Sequence, residues 1–136
     1  MIKNQSETAL DKDKLSKVAV KLFFAIADEW SLTENERCIL AGVNSRTTLL
    51  NWRRKLDAGQ PISLSRDTLD RLSYVAGIYK NLQLLFSDPA QWKQWVRKPN
   101  RELYGQSALQ RMLAGQLTDL AEVRRYLDSW RGDQYA

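Results

Sequence analysis

An all-α protein follows from three features of these 136 residues. Apolar side chains recur in steps of three and four through most of the chain, residues that start and stop helices stand between those runs, and no alternating β-branched run of a strand appears. A chain of this length buries one ordinary core or two small helical ones. Its 43% hydrophobic content, with three Pro and six Gly, is that of a folded domain rather than a disordered tail.

The elements read in order. A first helix is expected over 12–30, with Leu15, Val18, Leu22 and Ile26 as its apolar stripe and Phe23 and Phe24 widening it. That surface is broad for so small a domain; it suits a core helix, and a second subunit of a homodimer is the further expectation. Thr33 and Glu36, three residues apart, form a capping box for a short second helix that stops at Gly42. Asn44 or Ser45 caps a third, which presents Leu49, Trp52 and Leu56 on one face and ends at Gly59, with Pro61 beyond. Ser65 then opens the most regular segment, with Leu69, Leu72, Val75, Tyr79, Leu82 and Phe86 in helical register. Asp88 caps a short helix with Pro89 at its first position and Trp92, Trp95 and Val96 within it, and Pro99 stops it. An eight-residue connection over 99–106 leads to Ser107, cap of a helix carrying Leu109, Met112 and Leu113 and closed by Gly115. Thr118 opens the last helix, with Leu120, Val123, Leu127 and Trp130 on one side. The break at 59–61 divides the chain into an N-terminal domain, 1–62, and a C-terminal one, 63–136.

Several function classes drop out. The chain has one cysteine, Cys38, and no histidine, so neither a zinc cluster of the usual spacing nor a Ser-His-Asp or Cys-His catalytic unit can be assembled. No glycine-rich phosphate loop is present. The expectation is a protein that is not an enzyme and carries no cofactor or metal. The N-terminus is polar, and the longest apolar stretch, 18–27, is interrupted by Lys21 and too short to span a bilayer. A cytoplasmic location with no membrane contact is expected, and a lone thiol suits a reducing compartment.

The formal net charge is +5, and its placement says more than its size. Residues 41–56 hold Arg46, Arg53, Arg54 and Lys55 and no acid. They span the tight turn at Gly42 and the third helix, which together with the second helix make the arrangement of a helix-turn-helix. Leu49 and Trp52 anchor the recognition helix, leaving Ser45, Arg46, Thr47, Asn51, Arg53 and Arg54 to meet DNA. Arg46 suits guanine and Asn51 adenine, each in bidentate fashion; the others suit phosphate oxygens. The bland alternative is a helical hairpin with a solvated charged face, and the absence of acids favours DNA. RNA binding fits less well, because the aromatics do not interleave with the basic residues.

Residues 29–58, through Leu32-Thr33, Glu36, Leu40-Ala41-Gly42-Val43, Ser45-Arg46-Thr47-Thr48-Leu49 and Asn51-Trp52-Arg53-Arg54, resemble the helix-turn-helix of Xre-type regulators. Residues from about 69 to 132 resemble the toxin-binding domain of the Xre/MbcA/ParS antitoxins, through Leu85-Phe86, Trp95-Val96, Pro99-Asn100, Leu103, Gly105, Ser107, Leu109, Leu113, Gly115, Val123 and Leu127. The resemblance implies an antitoxin that neutralises a toxin with a RES (Arg-Glu-Ser) domain, one that consumes or transfers from NAD. It also implies repression of the antitoxin's own operon through operator DNA, as a dimer or a larger complex with toxin. Two departures stand out: Tyr104 where the family usually has a second glycine, and Ala108 where it usually has proline.

The aromatics of the C-terminal half, Trp92, Trp95, Tyr104, Tyr126, Trp130 and Tyr135, are of the types that anchor protein interfaces. Helical register assigns Trp95 and Trp130 to the core and leaves Trp92, Tyr104 and Tyr135, with Leu103, as toxin-binding candidates. Arg124, Arg125, Arg131 and the polar tail 132–136 are expected over the toxin's NAD cleft, a reading that follows from the resemblance and the anionic nature of NAD. A plain transcriptional regulator, whose C-terminal helices only dimerise or sense a ligand, is the alternative.

Overall fold

A computed structural model describes residues 5–133, with side-chain surroundings over 11–132. The chain is all-α: α1 (Gln5–Glu29), α2 (Glu34–Ala41), α3 (Arg46–Asp57), α4 (Arg66–Leu85), α5 (Pro89–Gln94), α6 (Ala108–Met112) and α7 (Leu117–Asp133). Two 3₁₀ turns, Trp95–Arg97 and Arg101–Leu103, lie between α5 and α6. Among the described residues the only extended pairing is one antiparallel bridge, Pro99 with Ser107, and no helix is long and apolar enough to cross a membrane.

The helices start where a side chain satisfies amides that the helix itself leaves orphaned. Thr33 Oγ1 accepts from the Glu36 amide at 3.1 Å while the Glu36 carboxylate accepts from the Thr33 amide at 2.9 Å. Ser107 and Gln110 repeat this reciprocal box at 3.1 and 2.9 Å. Asp88 accepts from the Ala90 amide at 3.0 Å, with Pro89 at the first helical position, and Ser65 accepts from the Thr68 amide at 3.1 Å. Ser45, not Asn44, precedes α3, and its side chain makes no capping bond.

α4 is the organising element. It packs against α1, α2, α5 and α7, and Val75, Ile78 and Leu82 along it are fully buried. The core is therefore continuous from α1 to α7. Polar ties reinforce it: the Arg97 guanidinium donates to the carbonyls of Trp30 and Ser31 at 2.9–3.1 Å. The break after α3 is held to α1 by Asp13 accepting from the Ile62 amide at 3.0 Å.

α1 departs from the expected reading twice. It begins at Gln5 rather than near residue 12, and it is turned about its axis. Val20, Phe23, Ile26, Ala27 and Trp30 face the core, whereas Leu15, Val18 and Leu22 are 55%, 63% and 40% exposed. The helix is apolar on two sides, so period alone does not choose between them. α4 and α3 receive the side carrying the larger rings, which bury more area per residue.

Candidate DNA-binding and toxin-binding surfaces

The turn between α2 and α3 is set by Gly42, whose φ of 70° lies in the left-handed region that glycine favours. Its amide donates back to the carbonyls of Cys38 and Ile39. The turn is braced from outside the motif. A Cβ at residue 42 would sit 2.7 Å from the Arg71 side chain, which Asp67 holds at 2.8 Å. Beside it the buried Thr68 hydroxyl donates to the Ala41 carbonyl at 2.9 Å. The first turns of α4 thus fix the angle at which α3 leaves α2.

α3 is anchored by buried Leu49 and Trp52. At 100° per residue, Thr47, Leu50 and Arg54 fall on the opposite side, and all three are exposed. Ser45, Arg46, Arg53 and Lys55 are exposed as well, and Asn51 is half-buried. Two arginines have partners within the fold. Arg53 lies over the Phe24 ring, 4.3 Å from its centroid, and Arg46 sits 3.4 Å from the Glu34 carboxylate. The acid-free stretch is consequently not an acid-free surface, because Glu34 is brought to it from the first turn of α2. Both members of that pair are well exposed, so the pairing is weak and open to exchange for phosphate or a base. Cys38 lies in α2 with its thiol buried, and burial pushes its pKa up, away from the thiolate form that reacts.

In the C-terminal half the segment from Pro99 to Ser107 is a fastened loop. Asn100 accepts from the Gly105 amide at 2.9 Å through its carbonyl and from the Glu102 amide at 2.9 Å through its side chain, while its own amide donates to the Gln106 carbonyl at 3.0 Å. Leu103 plugs into the core at 2% exposed, and the next residue, Tyr104, is 84% exposed. Tyr104 has φ 59° and ψ 32°, a left-handed conformation normally given to glycine. A large aromatic is thus held out at the tip of the loop at a conformational cost. Ala108 occupies the first position of α6, where proline is favoured and alanine, a good helix former, is also accommodated.

The other candidates lie on or near α7. Trp95, Tyr126 and Trp130 form a half-buried aromatic cluster, with Trp95 stacked on Tyr126 at 6.4 Å and Tyr126 edge-on to Trp130 at 5.2 Å. Trp92 is half-buried against the core. Arg131 donates to the Asn81 side chain at 2.7 Å, and Asn81, only 2% exposed, donates in turn to Asp128 at 2.8 Å. Arg124 pairs with Asp128 at 3.7 Å and lies directly over Gly77, where a Cβ would come within 2.3 Å of the guanidinium. Arg124 and Arg131 thus serve the α4–α7 contact, whereas Arg125 is exposed. Tyr135 and the tail beyond Asp133 lie outside the described residues.

Sequence reasoning missed Gly77 and Asn81, which receive α7. The signal was available: an isolated glycine inside a strong helical pattern commonly marks close packing. A half-buried Glu29–Tyr79 contact between α1 and α4 was missed too. Burial first, and then the neighbouring Glu29 carboxylate, push the Tyr79 phenol up to about 12, so it stays protonated throughout the physiological range.

Comparison with known proteins agrees with this layout. Residues 10–77 match the antitoxin Xre-like helix-turn-helix domain, and residues 81–132 match the antitoxin Xre/MbcA/ParS C-terminal toxin-binding domain. An uncharacterized protein, y4oB, of Sinorhizobium fredii (strain NBRC 101917 / NGR234) is 39% identical over 113 residues, covering 83% of this chain and 84% of that protein. With the turn, the recognition helix and the fastened loop in place, the chain belongs to the Xre/MbcA/ParS antitoxins.

Proposed function

We propose that the chain is the antitoxin of a type II toxin-antitoxin pair, in which residues 63–136 cover the active site of a RES-domain toxin that consumes or transfers from NAD. Residues 1–62, braced by the start of α4, bind operator DNA and repress the operon encoding the pair. The chain works by stoichiometric binding in the cytoplasm, with no cofactor and no catalysis of its own. One observation carries the toxin assignment: Tyr104 is held 84% exposed in a strained left-handed conformation at the tip of a loop fastened at its neck. Backbone strain that the surroundings enforce clusters at functional sites such as ligand clamps, and an exposed rigid aromatic is of a residue type enriched among interface anchors. Tyr135 and the half-buried Trp92 join Tyr104 in the proposed toxin-binding set, whereas Leu103, buried in the core, and Arg124 and Arg131, engaged with α4, are withdrawn from it. Ser45, Arg46, Thr47, Asn51, Arg53 and Arg54 form the proposed DNA-binding set.

The exposed stripe Leu15, Val18 and Leu22 on α1 supports a homodimer, the state in which a helix-turn-helix protein reads two half-sites. The test is co-expression with the RES-domain protein of the neighbouring reading frame. Co-purification with restored growth and restored NAD is the expected outcome. A chain that binds its operator while leaving the toxin free would instead be a plain transcriptional regulator.

A further inference from the structure

In the middle of the recognition helix stands a leucine that the fold does not use. Leu50 is 58% exposed, while its neighbours Leu49 and Trp52 supply the anchoring of α3. Helical geometry places Leu50 on the outward side with Thr47 three residues before it and Arg54 four after. Arg46 and Arg53 stand one turn away on its other flank. All four of these side chains are exposed, and each is a hydrogen-bond donor. A protein partner selects contiguous apolar area, which this arrangement lacks. The major-groove edge of a base pair, by contrast, is a row of donors and acceptors interrupted by one apolar group, the 5-methyl of thymine.

We infer that Leu50 reads a thymine methyl in the operator, so that the recognition helix combines guanidinium and amide contacts with one apolar contact at its centre. The inference rests on the DNA-binding reading above and adds to it the identity of a base. Leu50 contributes little to the core, so its replacement by alanine leaves the fold intact and removes only the outward isobutyl group.

The probe is a duplex enriched from a random pool by the full-length protein, resynthesised with deoxyuridine replacing thymine at one position at a time, which deletes the methyl and nothing else. For the unaltered chain, one position per half-site is expected at which the change weakens binding about fourfold, the equivalent of one buried methyl group. Leu50→Ala should bind the thymine duplex about that much more weakly and show no further loss with deoxyuridine, whereas Leu50→Met, which keeps an apolar reach, should retain the discrimination. Equal deoxyuridine effects in the unaltered and Leu50→Ala chains, or none at any position, would overturn the assignment of Leu50 while leaving DNA binding in place. Failure to enrich any duplex would overturn both. A change in the oligomeric state of DNA-free Leu50→Ala would mean that the leucine is covered by a second copy of the chain, and would also overturn it.

Discussion

α3 and α7 are both amphipathic helices with three arginines on their polar sides, yet the molecule uses the two sets in different ways. On α3, the side bearing Thr47, Leu50 and Arg54 looks away from the protein, and the partners of Arg46 and Arg53 are an exposed carboxylate and the face of one ring. On α7, Arg124 and Arg131 are drawn onto α4, where Gly77 makes room for one and buried Asn81 accepts from the other. The same residue type is left facing outward on one helix and is a fastener on the other. What differs is whether another layer lies across the polar face.

The comparison predicts a gradient of effects. The largest on stability belongs to the brace beneath the turn: Gly42→Val should cost about 2–3 kcal/mol, since it forces a β-branched residue to positive φ and drives Cβ into the Arg71 side chain. Chemical denaturation checks the loss, and duplex binding should fall with it because the exit angle of α3 changes. Next is Asn81→Leu, which strips partners from Asp128 and Arg131 and should destabilise by about 2 kcal/mol, while operator affinity of the folded fraction stays unchanged. A loss of duplex binding there would show that the α7 fastening reaches the recognition helix.

How much of this was legible in the sequence depends on whether the controlling interaction is local. The Thr33/Glu36 capping box, Ser107 as a cap and Asp88 before Pro89 are visible because each acts within one turn, and the structure places helix starts beside them. The facing of α1 is not local. Leu15, Val18 and Leu22 make as good a stripe as Val20, Phe23 and Ala27, and only the position of α4 decides between them. The DNA candidates were found by composition, but Glu34 beside Arg46 comes from another helix. Tyr104 was noticed as a departure from glycine, whereas its left-handed backbone and the neck of hydrogen bonds beneath it became apparent only in three dimensions.

Smaller effects sharpen the comparison further. Arg46→Ala should cost about 1–3 kcal/mol in discrimination at one base pair, and Lys55→Ala should mainly weaken affinity and make its salt dependence shallower. Arg124→Ala, removing a guanidinium of the same charge, should leave the salt slope unchanged; titration of duplex binding at several salt concentrations distinguishes the three. The smallest effect on stability has the opposite sign. Tyr104→Gly relieves the left-handed strain and should raise unfolding free energy by about 1 kcal/mol, yet it should weaken toxin binding, since the exposed ring is lost. A variant that becomes both more stable and a better toxin binder would remove the functional meaning given to that strain.

The central claim is that one continuous helical body carries two separable surfaces. It is tested most directly by a growth-rescue assay with the Arg46→Ala/Arg54→Ala double variant, co-expressed with the RES-domain toxin from a promoter the protein does not control, after loss of duplex binding has been verified on the purified variant. The account predicts rescue equal to that by the unaltered chain. Rescue lost together with duplex binding, in a variant that melts at the unaltered temperature, would contradict it.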